Sequence, residues 1–401
     1  MAKKATIAVI IIAIISILSS SVLGKTLVGL DVLLSDPSIL KDKRVGVITN
    51  PTGINQEGKS VIDLFYQNKE INITAIFAPE HGFRGDKAAG ESLGDQIDTK
   101  TGLPVFSLYG KTLKPTYEML EQVDVLIFDI QDIGARFYTY IYTMANAMEA
   151  CAEWNKEFIV LDRPNPLGGH KVDGPVLELP YSSFVGKYPI TITHGMTVGE
   201  LARLFNEQFL INCDLTVIPM KNWHRGQWFD ETGLKWVNPS PNIRSLRAAT
   251  VYPGLCFLEG TNISEGRGTE TPFEIFGAPF IDKGKLTAEL NRLNLPGCYF
   301  EPVEFIPTTS KWEGKRCEGS RIIVTDREKF LPEQTGLYIV QKIHDLYPKQ
   351  FEWISSHFDR LLGSSKPRET IVKSKSLNEL FFSWQERQSW FLDLRDNYLL
   401  Y

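Results

Sequence analysis

The chain lacks most of the short patterns that identify an enzyme class. Its five cysteines (Cys151, Cys213, Cys256, Cys298 and Cys317) are odd in number and scattered, without a C-x-x-C pair. That excludes a dithiol redox centre or a zinc ribbon of the usual spacing, and makes most of the cysteines core residues. There is no H-E-x-x-H or H-x-x-E-H stretch for a zinc hydrolase and no G-x-S-x-G elbow for a serine esterase. No G-x-G-x-x-G follows an apolar run, so a dinucleotide site is unsupported. Charge of one sign is also missing. Lys and Arg total 43 against 48 Asp and Glu, a net charge of −5 that disfavours nucleic acid and anionic membrane as partners.

One pattern is present to the letter. Gly53–Ser60, "GINQEGKS", satisfies the phosphate-loop rule G-x-x-x-x-G-K-[ST], and "VLIFD" (Val125–Asp129) imitates a magnesium-holding strand. The local chemistry argues against nucleotide. A phosphate loop starts directly at a strand end, because its backbone N–H groups wrap the phosphates. Here Asn50-Pro51-Thr52 intervene, and a proline removes a donor where donors are needed. The start of the chain argues the same way. Two lysines precede the apolar "ATIAVIIIAIISIL" and the small-residue exit "SSSVLG", the three regions of a secretory signal. At fewer than the ~20 apolar residues of a spanning helix, the run is short for an anchor. We expect residues 1–24 to be removed near Gly24–Lys25, an uncleaved signal-anchor being the other reading. The protein is then exported, periplasmic or extracellular, where ATP is scarce.

With 401 residues, 43% of them hydrophobic, the chain has room for two domains. From Arg44 to about Met220, short apolar runs alternate with amphipathic segments. "RVGVITN", "ITAIFAP", "PVFSLYG", "VDVLIFDI", "EFIVLDR" and "LTVIPM" read as strands; "SVIDLFYQ", "PTYEMLEQ", "YTYIYTMANAMEACAEW" and "TVGELARLFNEQF" read as helices. Continuous apolar strands alternating with helices imply an α/β fold, doubly wound around a mostly parallel sheet. Beyond about Pro239 the texture becomes rich in Gly, Pro, Asn and Thr, then mixed. We read a first domain over residues 25–240 and a smaller α+β domain over 241–401. The tail "FFSWQERQSWFLDLRDNYLLY" reads as a docked terminal helix.

The strands end in polar or glycine-rich clusters, and ligands of open α/β sheets sit at that edge. Asn50 through Gly53 should rim the crevice, while "EGKS" only starts a helix. In "APEHGFRGD", Glu80 is a candidate general acid with His81 beside it. Asp129 and Asp132 end the most apolar strand, where a carboxylate needs partners. Arg136 and Tyr138 follow, then Asp162, Arg163 and Asn165 in "LDRPNP". The loop "EGTNISEGRGTETPFE" adds Glu259, Asn262, Glu265, Arg267 and Glu270 beside glycines that allow close approach. These carboxylates with His194 are metal-ligand types, but in no recognised spacing. Carboxylates, arginines, asparagines and aromatics without a nucleophile elbow suit glycoside chemistry.

Taken together, "GKSVIDLF", "FAPEHGFRGD", "TGLPVFSLYG", "VDVLIFDIQDIGARFYTYIYTM", "VLDRPNPLGG", "HGMTVGELARLFN", "NPSPNI" and "YPGLCFLEGTNISEGRGTETPFEIFGAPF" resemble the exo-β-N-acetylmuramidases of the NamZ type over nearly all of the mature chain. The resemblance implies release of non-reducing terminal N-acetylmuramic acid from peptidoglycan fragments. It also implies a site between a Rossmann-like and a smaller domain, and no cofactor. It makes Glu80 the acid with His81 beside it. The second group stays open: the substrate's acetamido group oriented by Asp129 or Asp132, or a carboxylate activating water. Candidate sugar contacts are Asn50, Arg136, Tyr138, Arg163, Asn165, Glu265 and Arg267. One of the three arginines should read the lactyl carboxylate of muramic acid. Two other classes fit the same residues: a sugar-binding envelope protein without activity, and a metal-dependent hydrolase.

Overall fold

A computed structural model describes residues 24–84 and 96–401. The export signal expected over residues 1–24 lies, up to residue 23, outside the described residues, as does the end of the "PEHGFRGD" motif. Seven strands form the first sheet: β1 (Arg44–Thr49), β2 (Asn72–Ala78), β3 (Gln96–Ile97), β4 (Pro104–Ser107), β5 (Val125–Asp129), β6 (Glu157–Leu161) and β7 (Asp214–Ile218). Their spatial order is β3-β4-β2-β1-β5-β6-β7, parallel throughout except for β3. The chain therefore runs outward from β1 to β4, returns to β5 beside β1, and runs outward again. The reversal places the crevice edge at the carboxyl ends of β1 and β5.

Strand side chains alternate between faces, and both faces are covered. Val45, Val47, Val125, Ile127, Ile159 and Leu161 pack against the helices Gly29–Ser35 and Val61–Gln67. Ile48, Phe77, Leu126, Phe128, Phe158 and Val160 meet the helices Tyr140–Glu153 and Val198–Gln208. This is why β1, β5 and β6 carry no polar residue between their first and last positions. The last helix begins with a reciprocal cap, Thr197 accepting from the Glu200 N–H and Glu200 from the Thr197 N–H.

The second core face continues without a break into the rest of the chain, reaching Phe276, Phe300 and Ile322 of a smaller antiparallel sheet. That sheet comprises β8 (Ile275–Ala278), β9 (Cys298–Phe305) and β10 (Cys317–Val324), in the order β8-β10-β9. Beside it the helices Leu246–Leu255 and Pro332–Leu346 cross backbone to backbone. A Cβ on Gly254 would stand 1.8 Å from the Pro332 carbonyl oxygen, and one on Gly336 would stand 2.3 Å from that of Gly254. All five cysteines are thiols. The terminal helix, Leu377–Asp396, returns the chain to the first sheet. There the Tyr401 hydroxyl donates to Asp162 and accepts from the Met220 N–H, each at 2.7 Å.

A buried carboxylate braces the junction. Glu333, at the start of its helix, is fully buried and accepts from the Thr193 N–H at 3.1 Å and from the Thr193 hydroxyl. Burial, and next the neighbouring Asp173 carboxylate, push the Glu333 carboxyl up to about 8. An unfolded Glu ionises near ~4.3, so across the interval the folded chain keeps a proton that the unfolded chain has lost. Stability from this group is full below the unfolded value and is lost as pH rises through about 8. Thermal denaturation should give a midpoint that falls as pH rises from ~4 through about 8 and levels off above it, and Glu333→Gln, which mimics the protonated acid, should flatten the slope. Parallel profiles for the two proteins would contradict this account.

Candidate active site

The chain after β2 turns sharply at Pro79-Glu80-His81-Gly82, closed by the Gly82 N–H to the Pro79 carbonyl at 3.0 Å. His81 takes φ +70°, the positive value that the third residue of a type II turn requires and that a side chain resists. Such strain persists only where surrounding structure imposes it, at a cost on the order of 1–3 kcal/mol. The turn lifts Glu80 off the sheet edge, where the Thr139 hydroxyl donates to its Oε2 at 3.0 Å.

Glu80, His81, Tyr138, Thr139 and Tyr140 form one wall of a cavity of about 140 Å³. Ser240, Asn242 and Ile243, from "NPSPNI", and Tyr252, Glu259, Arg267, Phe273 and His357 complete it. Its floor is a run of edge-on rings: Tyr138 lies 5.8 Å from Tyr252, and Tyr252 lies 4.7 Å from Phe273. Phe273 is also strained, at φ +65°. A second cavity of about 770 Å³ adjoins the first, sharing Asn242, Glu259, Arg267 and His357 and adding Arg244, Glu265, Glu270, Lys311 and the Thr308–Ser310 loop.

Charges line the shared wall in a row. Arg267 contacts Glu259 at 2.6 Å and Glu265 at 3.1 Å, and Lys311 lies 3.0 Å from Glu265 on the far side. The His357 Nε2 stands 3.4 Å from the other Glu259 oxygen. Burial alone would raise the Glu259 carboxyl, but His357 and Arg267 outweigh it and hold the group down to about 2. Burial pushes the Tyr138 phenol well above its ordinary value. The cavity thus joins a carboxyl group, a carboxylate held ionised, a guanidinium and edge-on rings, the components of a saccharide site.

Of the residues expected from sequence, Glu80, His81, Tyr138, Glu259 and Arg267 line the first cavity, and Glu265 and Glu270 the second. The others lie elsewhere. Asp129 is fully buried beside Thr49 of β1, and its Oδ1 accepts from the Arg163 Nε at 2.6 Å. Burial raises the Asp129 carboxyl although Arg163 opposes it. Arg163 also donates to the Ile54 carbonyl, so this pair ties the β1 and β6 loops together. Asp132 accepts from the Gly134 N–H at 2.7 Å and faces His194 at 3.5 Å. Asn50 accepts from the Thr52 N–H at 2.9 Å in a turn beneath the site, and Asn165 donates to the Met196 carbonyl at 3.0 Å. Arg136 is fully buried, its guanidinium donating to the carbonyls of Pro175, Ile190 and Leu361. It is a brace between the two halves of the chain rather than a sugar contact, and burial lowers it to about 10.

Sequence reasoning missed Thr139, Ser240, Asn242, Tyr252, Phe273 and His357. Asn242 and Ser240 had a signal in "NPSPNI"; His357, in "SSHFDR", had none. Among the described residues no group of three or more His, Cys, Asp or Glu could hold a metal ion.

Two family models cover the chain: "Exo-beta-N-acetylmuramidase NamZ, N-terminal" over residues 45–247 and "Exo-beta-N-acetylmuramidase NamZ, C-terminal" over residues 250–401. The peptidoglycan beta-N-acetylmuramidase NamZ of Bacillus subtilis (strain 168) is 53% identical over 379 residues, 94% of this chain and 92% of that protein. Two crystal structures of DUF1343 family proteins from Bacteroides fragilis NCTC 9343 share the fold. One matches at a TM-score of 0.87 and 40% identity, the other at 0.75 and 34%, each over 94% of this chain and 99% of the other.

The phosphate-loop lookalike plays no part in either cavity. The Asn55 side chain accepts from the N–H groups of Glu57 and Lys59, using donors that a phosphate would need. Ser60 caps the helix Val61–Gln67, and a Cβ on Gly53 would stand 2.0 Å from the Thr49 hydroxyl. Lys59 is exposed and paired with Glu57 at 2.9 Å. Lys59→Ala should shift stability by less than ~0.5 kcal/mol, and ATP should move the melting midpoint of neither protein. An ATP-dependent rise in the parent, abolished by the substitution, would contradict this.

Proposed function

We propose that this chain, which belongs to the NamZ family of exo-β-N-acetylmuramidases, releases β-linked N-acetylmuramic acid from the non-reducing ends of peptidoglycan-derived saccharides. The observation that carries the reading is the cavity: small, floored by rings that suit the apolar face of a sugar, with Glu80 fixed at its wall. Glu80 gives its proton to the glycosidic oxygen as the bond to the anomeric carbon breaks. Thr139 holds the carboxyl at the oxygen opposite the reacting one.

Muramic acid carries a lactyl carboxylate, and among Arg136, Arg163 and Arg267 only Arg267 lines the cavity. Its contacts to Glu259 and Glu265 use N–H groups on Nη2 and Nε, and a guanidinium has further donors. Arg267 is therefore our reader of the lactyl group. The lysine-flanked apolar start supports export with removal of the first ~24 residues. The division into a catalytic part and a part that completes the cleft is supported by the cavity drawing residues from both.

Glu80→Gln should fold and lose about 10²–10⁴-fold in turnover on a muramyl disaccharide, and less on a glycoside whose leaving group needs no proton. Near-parent rates on the disaccharide would remove Glu80 from the mechanism. Arg267→Ala should penalise a muramic glycoside over its glucosamine counterpart by about 2–5 kcal/mol. Arg136→Leu and Arg163→Leu should lower the melting midpoint and depress both substrates alike. A preserved substrate ratio in Arg267→Ala would pass the carboxylate to another donor.

A further inference from the structure

Glycoside hydrolysis needs a second group at the anomeric centre, and neither Asp129 nor Asp132 lines the cavity that contains Glu80. Glu259 does. It arrives from the turn Cys256–Gly260 in the second half of the chain, at the end of the floor where Tyr252 and Phe273 meet. Both of its oxygens are fixed, Oε1 by Arg267 at 2.6 Å and Oε2 by His357 at 3.4 Å, and its side chain is 18% exposed. Arg267 is shared with Glu265, which also takes Lys311, so two carboxylates and two cations alternate along this wall.

Resting on the functional reading above, we propose that Glu259 is the second catalytic carboxylate, a fixed anion that faces the anomeric carbon and stabilises the positive charge developing there. The transition state of glycoside cleavage is oxocarbenium-like. An anion already in place lowers its energy without reorganising at the moment of reaction. The same donors that keep Glu259 ionised make it a poor proton acceptor, so proton transfer stays with Glu80. The Glu80 proton moves to the glycosidic oxygen, which leaves with the electron pair of its bond to the anomeric carbon. A water oxygen forms the new bond to that carbon, and the proton it sheds returns to Glu80. One water is consumed, and Glu259 neither gains nor loses a proton.

The role separates from that of Glu80 by its dependence on the leaving group. Parent turnover of a muramic glycoside is measured first, and its absence would overturn the functional reading rather than the assignment of Glu259. Given that turnover, Glu259→Gln should lose about 10²–10³-fold in kcat, by the same factor on a muramyl disaccharide and on a nitrophenyl muramic glycoside. The Glu80→Gln loss should shrink on the nitrophenyl substrate. Added formate should restore part of the turnover of Glu259→Ala, since a small anion can occupy the vacated position, whereas a merely structural role gives no such rescue. Should the Gln variant fail to fold, Glu259→Asp keeps the charge and should exceed Glu259→Ala in turnover. A loss below about tenfold, or one that shrinks with a better leaving group as the Glu80 loss does, would overturn the proposal; tenfold corresponds to ~1.4 kcal/mol.

Discussion

Everything at the site hangs on the edge-to-face contacts around Tyr252. Its ring meets Phe137 at 5.5 Å, Tyr138 at 5.8 Å and Phe273 at 4.7 Å. Phe137 continues the run to Phe257 at 6.2 Å, and Phe257 to Phe358 at 6.3 Å. Phe137 and Tyr138 follow β5 of the large sheet, whereas the other rings belong to the second half. The seam is therefore hydrophobic core and cavity floor at once. Aromatic pairs of this geometry contribute about 0.5–1.5 kcal/mol beyond their burial. That rigidity lets Glu80, Arg267, Glu259 and His357 keep their places although the sequence separates them widely.

Around the seam, local penalties are tolerated because packing holds them. His81 and Phe273 both sit at positive φ, one on each wall. Both positions turn a functional side chain or a ring inward, and strain retained at a binding site is a recurring pattern. Buried ions act in the same service. Arg136 ties the loop after β5 to the carbonyls of Ile190 and Leu361, and the Asp129–Arg163 pair locks the loops beneath. Removing one partner of such a pair leaves an uncompensated buried charge, so the arrangement of these loops depends on both.

The sheet was legible because its strands are continuously apolar and its helices periodic. Both signals are local, and "VLIFD" or "ELARLF" cannot be satisfied in another way. The crevice edge was legible for the same reason: a buried strand shows where it ends by its first polar residue. Which strand-end groups face the ligand was not legible. Asp129 and Glu80 look alike in sequence, each just past an apolar run. One lies at the centre of the sheet, where an arginine closes over it; the other is lifted by a strained turn. Arg136 read as a ligand cation because carbonyl clusters that swallow a guanidinium leave no mark in the sequence. His357 and Tyr252 reach the cavity through helix crossings, such as the contact at Gly254 and Gly336, that depend on long-range packing. The glycines of "GINQEGKS" show the converse error: a pattern complete in letters whose donors are spent on Asn55.

The central claim is that a single sugar ring sits on the Tyr138–Tyr252 floor with its scissile bond at residue 80. The most direct measurement is a crystal structure of the Glu80→Gln variant soaked with a muramyl disaccharide. The account predicts the terminal ring over those two phenols, the glycosidic oxygen within hydrogen-bond reach of the residue 80 carboxamide, and Glu259 facing the anomeric carbon. A disaccharide bound instead at the strand ends beside Arg163 and Asp129, with the ring-floored cavity empty, would contradict it.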